Sequence, residues 1–374
     1  MPAATPRPLR VAHVTTEAGF SGGEAQVFLL MDGLRKRGHH NLLLCPAASR
    51  SEAEARRRGL ESRQVPAGSE WRPGNVRAVR AALEEVAPDL VHLHTGRANW
   101  LGGLAARRLG LPALTTRRMD RRVKRGPRTR WLYGRLVRRV AAISPAVARR
   151  LREGGVPEAM IRMIPSAIDP DALHPQQGRE TVRAAEGIEA DAPLLLVAAN
   201  LVRRKGVDVL VEALAGLAGE ALHPALWIAG DGPERGALAS LVKARSLEGQ
   251  VRFLGRRGDV PDLLAACDVF VLPSRLEGLG VAALEAMAAG RPVVASRVGG
   301  LGEVVGHERT GLLVPPEDPG ALRVALSRLL REPALGRRLG AAGPGRVAEG
   351  HLASQMTAAY EALYLEILGE RGTP

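Results

Sequence analysis

Two glutamates with seven residues between them, Glu277 and Glu285, carry the most specific chemical signal in this sequence. A buried-strand pattern, Val269–Leu272, comes shortly before Glu277, and Glu285 lies one turn into a largely apolar helix pattern. Because an unpaired carboxylate in such a helix is costly to bury, Glu285 is expected to meet a polar ligand. An acid that interacts with the helix dipole is the alternative for Glu277. Carboxylates placed in this way suit a ligand with two hydroxyl-bearing parts.

Two other turns have the composition of phosphate-binding loops. The basic run Arg203–Lys205 follows the apolar run Leu194–Ala199 and precedes a helix, whose dipole repels cations unless an anion offsets them. Gly22 and Gly23 precede another helix start, where backbone N–H groups can approach an anion closely. A solvated basic turn and a flexible glycine turn are the respective alternatives.

Short apolar runs alternate with segments of helical periodicity, which is the rhythm of βαβ units and predicts a parallel sheet. A polar break at His174–Asp191 interrupts this rhythm and predicts a domain junction. We therefore expect an α/β protein with two Rossmann-like, doubly wound parallel-sheet domains that face each other across a cleft. They are assigned to residues 1–175 and 190–345, and a C-terminal helix at 346–374 is expected to pack back on the first domain. In such sheets ligands bind beyond the carboxyl ends of the strands.

The strand predictions rest on the apolar runs. In the first half they are Val11–Thr15, Asn41–Cys45, Asp89–His94, Ala113–Thr116, Val140–Ser144 and Ile161–Ile164. In the second half they are Leu194–Ala199, Leu226–Ala229, Val251–Leu254, Val269–Leu272, Val293–Ala295 and Leu312–Val314.

The composition limits the compartment and the class of partner. Among 374 residues there are two cysteines, Cys45 and Cys267, which fits a reducing cytoplasm better than a disulfide framework or a zinc site. The first ten residues lack the apolar stretch of a signal peptide, and no run is long enough to span a bilayer. The net charge of +14 favours anionic partners, or reflects an arginine bias without functional cause. No motif of a nucleic-acid-binding protein is found, so no nucleic acid is expected.

One basic cluster, Arg117–Arg139, contains a single acid, Asp120, and interleaves its cations with apolar and aromatic residues. These residues are Trp131, Leu132, Tyr133, Leu136 and Val137. Such a segment suits an anionic membrane surface or a phosphorylated lipid-linked acceptor, and a solvated helix face is the alternative. We therefore expect a cytoplasmic protein that can attach peripherally to the inner face of the cytoplasmic membrane.

The segment EGLGVAALEAMAAGRPVVASRVGG resembles the E-x7-E region of retaining glycosyltransferases with the GT-B fold, and more narrowly the group 1, or family four, class. Further segments match that class in order over nearly the whole chain. They include SGGEAQVFLLMDGLRKRGHH, DLVHLHTGRANWLGGLAARRLG, AAISPAVARRL, NLVRRKGVDVLVEAL, IAGDGPER, VRFLGRRGDVPDLLAACDVFVLPS and HERTGLLVPPEDPGAL. The combination is specific for the family and not for a sugar.

The resemblance implies a retaining, metal-independent transfer from a UDP-, GDP- or ADP-sugar, with no tightly bound cofactor. Glu285 would bind the ribose hydroxyls, Glu277 the transferred sugar and Lys205 the diphosphate. The other donor-side residues implied are Gly278, Leu279 and Gly280 for sugar and diphosphate, Gly22 and Gly23 capping the diphosphate, and Gly255 and Arg256 flanking the base. The literal Asp169-Pro170-Asp171 is interpreted as a turn, and no metal site is expected.

Two positions depart from the family pattern. The Arg that is usual before the Lys-Gly pair is Asn200 here, and Arg203 or Arg204 would have to supply the missing cation. A His that is usual near the sugar is absent from the segment that follows Ala113–Thr116, and Arg118 takes its place.

The other acceptor-side candidates are Arg117 and His94, and a structural, hydrogen-bonded histidine is the alternative for His94. By analogy, the Arg-Arg pair at 117–118 points to a glycan or lipid-linked acceptor in lipopolysaccharide or cell-surface polysaccharide assembly. A catalytically impaired nucleotide-binding scaffold of the same fold stays open because of Asn200 and Arg118. A sugar-nucleotide epimerase or hydrolase is a further alternative, against which the ordered motifs argue.

Overall fold

The computed structural model describes residues 7–66 and 72–370. The chain divides into two units, Met1–Ser166 together with Ala353–Pro374, and Ala167–Leu352. The sequence analysis places residues 167–175 in the first domain, whereas here they belong to the second unit. Ile168 forms a bridge with Leu352, and the backbone amide of Gln176 donates to Asp262 at 2.5 Å. Residues 1–6, which include most of the leader examined for a signal peptide, lie outside the described residues.

The first unit has a seven-stranded parallel sheet in the order β3-β2-β1-β4-β5-β6-β7. Elements are numbered in chain order throughout. The strands are β1 (Arg10–Val14), β2 (His40–Cys45), β3 (Glu61–Gln64), β4 (Leu90–Leu93), β5 (Ala113–Arg117), β6 (Arg139–Ala142) and β7 (Ile161–Met163). The helices are α1 (Gly22–Lys36), α2 (Arg50–Arg57), α3 (Pro73–Val86), α4 (Gly96–Arg108), α5 (Pro127–Trp131), α6 (Pro145–Glu153) and α16 (Ala353–Gly369). A π-helical turn at Leu132–Leu136 continues α5.

The second unit has a six-stranded parallel sheet in the order β10-β9-β8-β11-β12-β13. Its strands are β8 (Leu194–Ala198), β9 (Ala225–Ala229), β10 (Val251–Gly255), β11 (Val269–Leu272), β12 (Val293–Ser296) and β13 (Gly311–Val314). Its helices are α7 (Arg179–Ala185), α8 (Val207–Ala218), α9 (Arg235–Ala244), α10 (Val260–Ala266), α11 (Val281–Ala288), α12 (Leu301–Val304), α13 (Pro319–Arg331), α14 (Pro333–Ala341) and α15 (Gly343–Ala348). Two parallel-sheet α/β domains were predicted, and this fold class is confirmed.

Buried aliphatic strands explain why both sheets form. The four residues of β11 and the four of β13 are all buried, as is typical of parallel strands covered by helices on both faces. The core of the second unit is almost entirely Leu, Val, Ile and Ala from β8, β9, α8 and α13. Among the described residues, no helix is long and apolar enough to cross a bilayer.

Each sheet has one point where the strand order reverses. In the first unit β1 and β4 are neighbours, and in the second unit β8 and β11 are neighbours. The loops that follow the two central strands then diverge to opposite faces and leave a crevice at the carboxyl edge. Gly22 and His94 follow the central strands of the first unit, and Lys205 and Glu277 follow those of the second.

Candidate functional site

In the second unit the loops after β8 and β11 are joined by ion pairs and backbone hydrogen bonds. Lys205 pairs with Glu277, and both side chains are nearly buried, at 13% and 12% exposure. Glu277 also accepts a hydrogen bond from the Ser274 hydroxyl at 3.2 Å. Arg275 donates from its backbone amide to the Arg204 carbonyl at 2.8 Å, and its guanidinium binds Asp208 through two bonds of 2.7 Å. The predicted Lys205 and Glu277 are therefore in direct contact.

Glycines allow this close approach of loops in the second unit. Gly206 has φ of +65°, and a methyl group there would lie 2.0 Å from the Pro273 carbonyl oxygen. Gly230 has φ of +144°, and a methyl group there would lie 1.8 Å from the Ala199 carbonyl oxygen. These positions accept only glycine, because a side chain would collide with rigid backbone. The carboxyl edge of this sheet is thus fixed by the local chain itself.

Of the two predicted donor-side acids, Glu285 is the one whose carboxyl has no partner among the described residues. It lies in α11, is partly buried, and has no hydrogen-bond or ion-pair partner among the described residues. Burial raises the pKa of its carboxyl to about 7. A carboxyl in such surroundings binds donors such as hydroxyl groups well once a ligand supplies them.

The remaining donor-side predictions lie along the same loops. Leu279 is buried, and Gly280 has φ of +99° at the start of α11. Gly255 ends β10 with φ of +66° and accepts a backbone hydrogen bond from Gly230 at 2.6 Å. Arg203 and Arg256 both expose their side chains, which have no acid partner among the described residues. The roles of these residues toward a donor stay predictions.

In the first unit, α1 begins with a complete capping box. The Ser21 hydroxyl oxygen accepts from the Gly23 amide at 3.2 Å, and the Glu24 carboxylate accepts from the Ser21 amide and hydroxyl at 2.8 and 2.6 Å. A methyl group on Gly22 would meet no atom within 4 Å, and one on Gly23 would meet only ordinary contacts. Neither glycine has the positive φ that demands glycine. Their identity is not explained by packing within this unit.

Behind this helix lies a cluster of three buried histidines that the sequence analysis did not predict as a group. His13 in β1, His92 in β4 and His94 directly after β4 offer ring nitrogens within 4.8 Å of one another, a spacing that could also hold a metal ion. Burial is the main cause that lowers the pKa of all three, that of His13 to about 4. Helix α16 covers His92, whose Nδ1 lies 2.7 Å from the Tyr364 hydroxyl. Every ring nitrogen of the cluster has a hydrogen-bond partner.

The structure separates the two adjacent arginines of the acceptor-side prediction. Arg118 lies against His94, with Nη2 at 3.2 Å from Nδ1 and Nη1 at 3.4 Å from the carbonyl oxygen. Arg117 instead donates to the Arg121 carbonyl at 2.7 Å. Arg118 and His94 are therefore in contact, and Arg117 does not join them.

The interleaved apolar residues of the basic cluster belong mainly to the core. Leu132, Tyr133, Leu136 and Val137 are at most 8% exposed, whereas Trp131 is 40% exposed and stacks on Trp100. The π-helical turn thus directs Leu132, Tyr133 and Leu136 inward, and attachment of this segment to a membrane stays a prediction. The exposed cations of this segment are Arg121, Arg122, Lys124, Arg125, Arg128, Arg130, Arg135 and Arg138.

Comparison with known proteins gives two family matches. The model described as glycosyl transferases group 1 matches residues 178–346, and that of glycosyltransferase family 4 matches residues 20–172. N-acetyl-alpha-D-glucosaminyl L-malate synthase of Bacillus anthracis is 31% identical over 61% of this chain and 60% of its own length. D-inositol 3-phosphate glycosyltransferase of Jonesia denitrificans is 30% identical over 81% of this chain and 78% of its own length. The chain thus covers less than two thirds of the length of the Bacillus anthracis relative and more than two thirds of the length of the Jonesia denitrificans relative.

Solved structures share the fold of the whole chain. Anabaena HepE in complex with UDP-glucose has a TM-score of 0.84 and 21% identity, covering 95% of this chain and 99% of its own. WaaG, a glycosyltransferase involved in lipopolysaccharide biosynthesis, has a TM-score of 0.72 and 20% identity, covering 94% and 99%. At this identity the likeness establishes the two-domain GT-B fold.

Proposed function

Since the chain belongs to the group 1 glycosyltransferases of GT-B fold, we propose that it moves a sugar from a nucleotide-sugar donor to an acidic or membrane-associated acceptor, with retention of configuration. The observation that carries this proposal is the carboxyl edge of the second unit, where Lys205 pairs with Glu277 and Glu285 has no partner. A diphosphate needs a cation, and a ribose needs a hydroxyl acceptor. The solved complex of HepE with UDP-glucose supports a donor of this class.

Lys205 would stabilise the leaving diphosphate. In the structure its ammonium is neutralised by Glu277. An incoming diphosphate would share this cation, and Glu277 would then be free to accept hydrogen bonds from the sugar hydroxyls. Because the ammonium is held before the donor arrives, little reorganisation is needed when negative charge develops on the leaving group. This role of Lys205 is the reason why we propose a reaction without a metal ion.

The reaction would proceed by attack on the face that the diphosphate leaves. The bond between the anomeric carbon and the diphosphate oxygen breaks, and the electron pair stays on the diphosphate. The acceptor hydroxyl oxygen forms the new bond to the same carbon, and its proton passes to a donor phosphate oxygen. The transition state resembles an oxocarbenium ion, so the protein contributes mainly orientation and charge stabilisation.

Features of the first unit and the names of the relatives support the acceptor class that we propose. The names of two relatives specify L-malate and inositol 3-phosphate, both anionic, and WaaG acts in lipopolysaccharide biosynthesis. The exposed cations of the basic cluster would attract an anionic lipid surface or a phosphorylated lipid-linked acceptor. We propose cell-surface polysaccharide or lipopolysaccharide assembly at the inner face of the cytoplasmic membrane as the setting.

Donor binding is the direct test. Calorimetry and slow donor hydrolysis are measured with UDP-, GDP- and ADP-sugars on the wild type and on Glu285→Gln. One nucleotide is expected to bind in the micromolar range, and the variant is expected to lose it. If none of the nucleotides binds to the wild type, the proposal is overturned, and a scaffold whose donor site is disabled by Asn200 and Arg118 replaces it.

A further inference from the structure

One face of the first sheet carries an uninterrupted line of polar side chains across four neighbouring strands. Asn41 lies in β2 and His13 in β1, while His94 and Arg118 lie directly after β4 and β5. The contacts between successive members are 3.0 Å from Asn41 Oδ1 to His13 Nε2, 3.0 Å from His13 Nδ1 to His94 Nε2, and 3.2 Å from His94 Nδ1 to Arg118 Nη2. This line, Asn41–His13–His94–Arg118, is called the relay below.

The arginine end of the relay fixes its direction. A guanidinium nitrogen can only donate, so His94 Nδ1 must accept and His94 carries its proton on Nε2. That Nε2–H then donates to His13 Nδ1, which places the proton of His13 on Nε2 as well. The His13 Nε2–H finally donates to the Asn41 carbonyl oxygen.

The asparagine end fixes the same direction independently. The Asn41 amide nitrogen donates to the carbonyl oxygens of Met31 and His39 at 3.2 and 3.4 Å. This orients Oδ1 toward His13, which must therefore donate from Nε2. Because both ends require one tautomer for each ring, the relay has a single consistent arrangement of protons. Lowered pKa values of both histidines agree with neutral rings.

The relay holds a cation with uncharged acceptors. Within the described residues Arg118 forms no ion pair, and its Nε is buried without a hydrogen-bond partner. Glu24 is an acid close enough to influence Arg118, but its Oε2 is bound by the Ser21 amide and hydroxyl. Arg118 is partly exposed, but its Nε is buried, and an arginine in such a place is normally paired with a carboxylate that neutralises it. Here His94 positions the guanidinium without neutralising it, so its positive charge is available to an anionic ligand.

The place of Arg118 indicates what that partner is. Its Cδ would lie 3.7 Å from a methyl group on Gly23, so its side chain passes beside the amino end of α1. Both the cation and the helix end favour negative charge. A methyl group on the neighbouring Gly22 would meet no atom within 4 Å, so there is open space at the same helix end.

We propose that the relay of Asn41, His13 and His94 positions Arg118 as the residue that recognises an anionic group, phosphoryl or carboxylate, on the acceptor. The proposal rests on the proposed function in taking the acceptor as the ligand. His13, His94 and Asn41 are positioning residues, and Arg118 is the residue that touches the ligand. His92 belongs to the same cluster but bonds to Thr116 and Tyr364, outside the relay.

The proton positions are tested by nitrogen NMR of the whole protein labelled with ¹⁵N-histidine, at neutral pH. Long-range proton–nitrogen spectra are expected to show His13 and His94 neutral, each with its proton on Nε2. A proton on Nδ1 of either ring, a charged imidazolium, or ring shifts that disappear when a chelator removes a bound metal would each overturn the relay. The measurement needs no sugar donor, so it is independent of the outcome of the donor panel.

Anion recognition is tested by titrating inorganic phosphate and L-malate, in parallel, into the same labelled protein. Binding is expected to shift the His94 nitrogen resonances, to disappear in Arg118→Gln, and to weaken about tenfold in His13→Leu. His13→Gln, which can still accept from His94 and donate to Asn41, is expected to recover most of the affinity. The probe that binds identifies the group as phosphoryl or carboxylate.

His92→Leu is the matched control, because it removes an equally buried histidine outside the relay. It is expected to leave the affinity for the anion unchanged even if it lowers stability. Equal weakening in His13→Leu and His92→Leu would show that His13 acts only through packing and would overturn the positioning role. Failure of both probes to reach His94 would overturn Arg118 as the anion-binding residue. With the donor established, Arg118→Gln is expected to raise KM for an anionic acceptor and to leave KM for the donor unchanged.

Discussion

The carboxyl edges of the two sheets hold their charges in opposite ways. In the second unit Lys205 is neutralised by Glu277 across two loops whose glycines admit no side chain. In the first unit Arg118 is held by neutral histidines, and the glycines beside it are under no steric demand. The first arrangement is specified by local backbone geometry. The second depends on residues from four strands and can change without disturbing the backbone.

This difference fits the division of labour that we propose. All donors of this family would present a diphosphate and a ribose, so the edge that binds them can have one fixed backbone geometry. Acceptors differ in charge and shape, so the edge that meets them must vary in chemistry on an unchanged scaffold. Substitutions at the two carboxyl edges test that contrast.

Removal of the cation in the second unit is expected to have the largest effect. Lys205→Met should lower kcat by about 10²- to 10³-fold, because the developing charge on the diphosphate loses its preorganised partner. Steady-state kinetics with the donor found in the panel measures this. Lys243→Met, which removes an exposed lysine of α9, is the control and should leave kcat unchanged. Undiminished activity in Lys205→Met would contradict the role of this lysine.

Glycine substitutions should separate the two edges by stability. Gly230→Ala is expected to lower the free energy of unfolding by about 3 kcal/mol, because the new methyl group collides with the Ala199 carbonyl. Gly22→Ala should change it by less than about 0.5 kcal/mol, since the methyl group meets open space. Urea denaturation of both variants tests this, and similar losses in the two would remove the contrast.

Replacement of Glu285 should stabilise the protein at alkaline pH. Burial raises the pKa of this carboxyl from 4.5 to about 7. The free energy of unfolding of the wild type therefore falls as the pH rises through about 7, because the buried carboxyl must then ionise. Glu285→Gln should therefore be more stable than the wild type at pH 8 by about 2 kcal/mol. The two proteins should converge below pH 4.5, the pKa of an ordinary glutamate.

Unfolding measured across this pH range decides the point. An advantage of the variant that grows toward low pH would show that the ionised carboxylate is stabilised rather than destabilised by its surroundings. The same variant is expected to lose nucleotide binding, so stability and binding should change in opposite directions.

Removal of a single hydroxyl group of the first unit should have a small effect. Tyr364→Phe leaves His92 Nδ1 without its partner and should cost about 1 kcal/mol in unfolding free energy. Thr15→Val is the control, because the Thr15 hydroxyl is buried without a hydrogen-bond partner and its removal should cost nothing. Thermal unfolding of the two variants checks the difference. An equal loss in both would mean that the His92 contact contributes no stability.

Most of the fold could be predicted because buried parallel strands have sequences that are dense in aliphatic residues. The twelve strand predictions correspond to twelve of the thirteen strands, with small differences at the ends. The exception is β3, whose sequence ESRQ has no apolar run, because it is an edge strand that pairs only with β2. Its identity as a strand comes from its neighbour and not from its own residues.

The candidate sites were predictable to different degrees for a related reason. The contact between Lys205 and Glu277 joins two loops with recognisable local patterns, so both residues could be named from the sequence. The contact between His13 and His94 in the relay joins residues 81 positions apart, and His13 has no local pattern that distinguishes it from other strand residues. The one available signal was the period of two, which places His92 and His94 on one face of the predicted strand Asp89–His94.

The last helix of the chain completes the first unit, and this has a consequence for synthesis on the ribosome. Tyr360 and Tyr364 of α16 close the polar face around His92 and Thr116, while Glu366 pairs with Arg162. The second unit, Ala167–Leu352, lies wholly before that helix in the chain. The first unit therefore keeps polar groups such as His92 uncovered until the whole second unit and then α16 have been translated. The second unit can consequently complete its fold before the first.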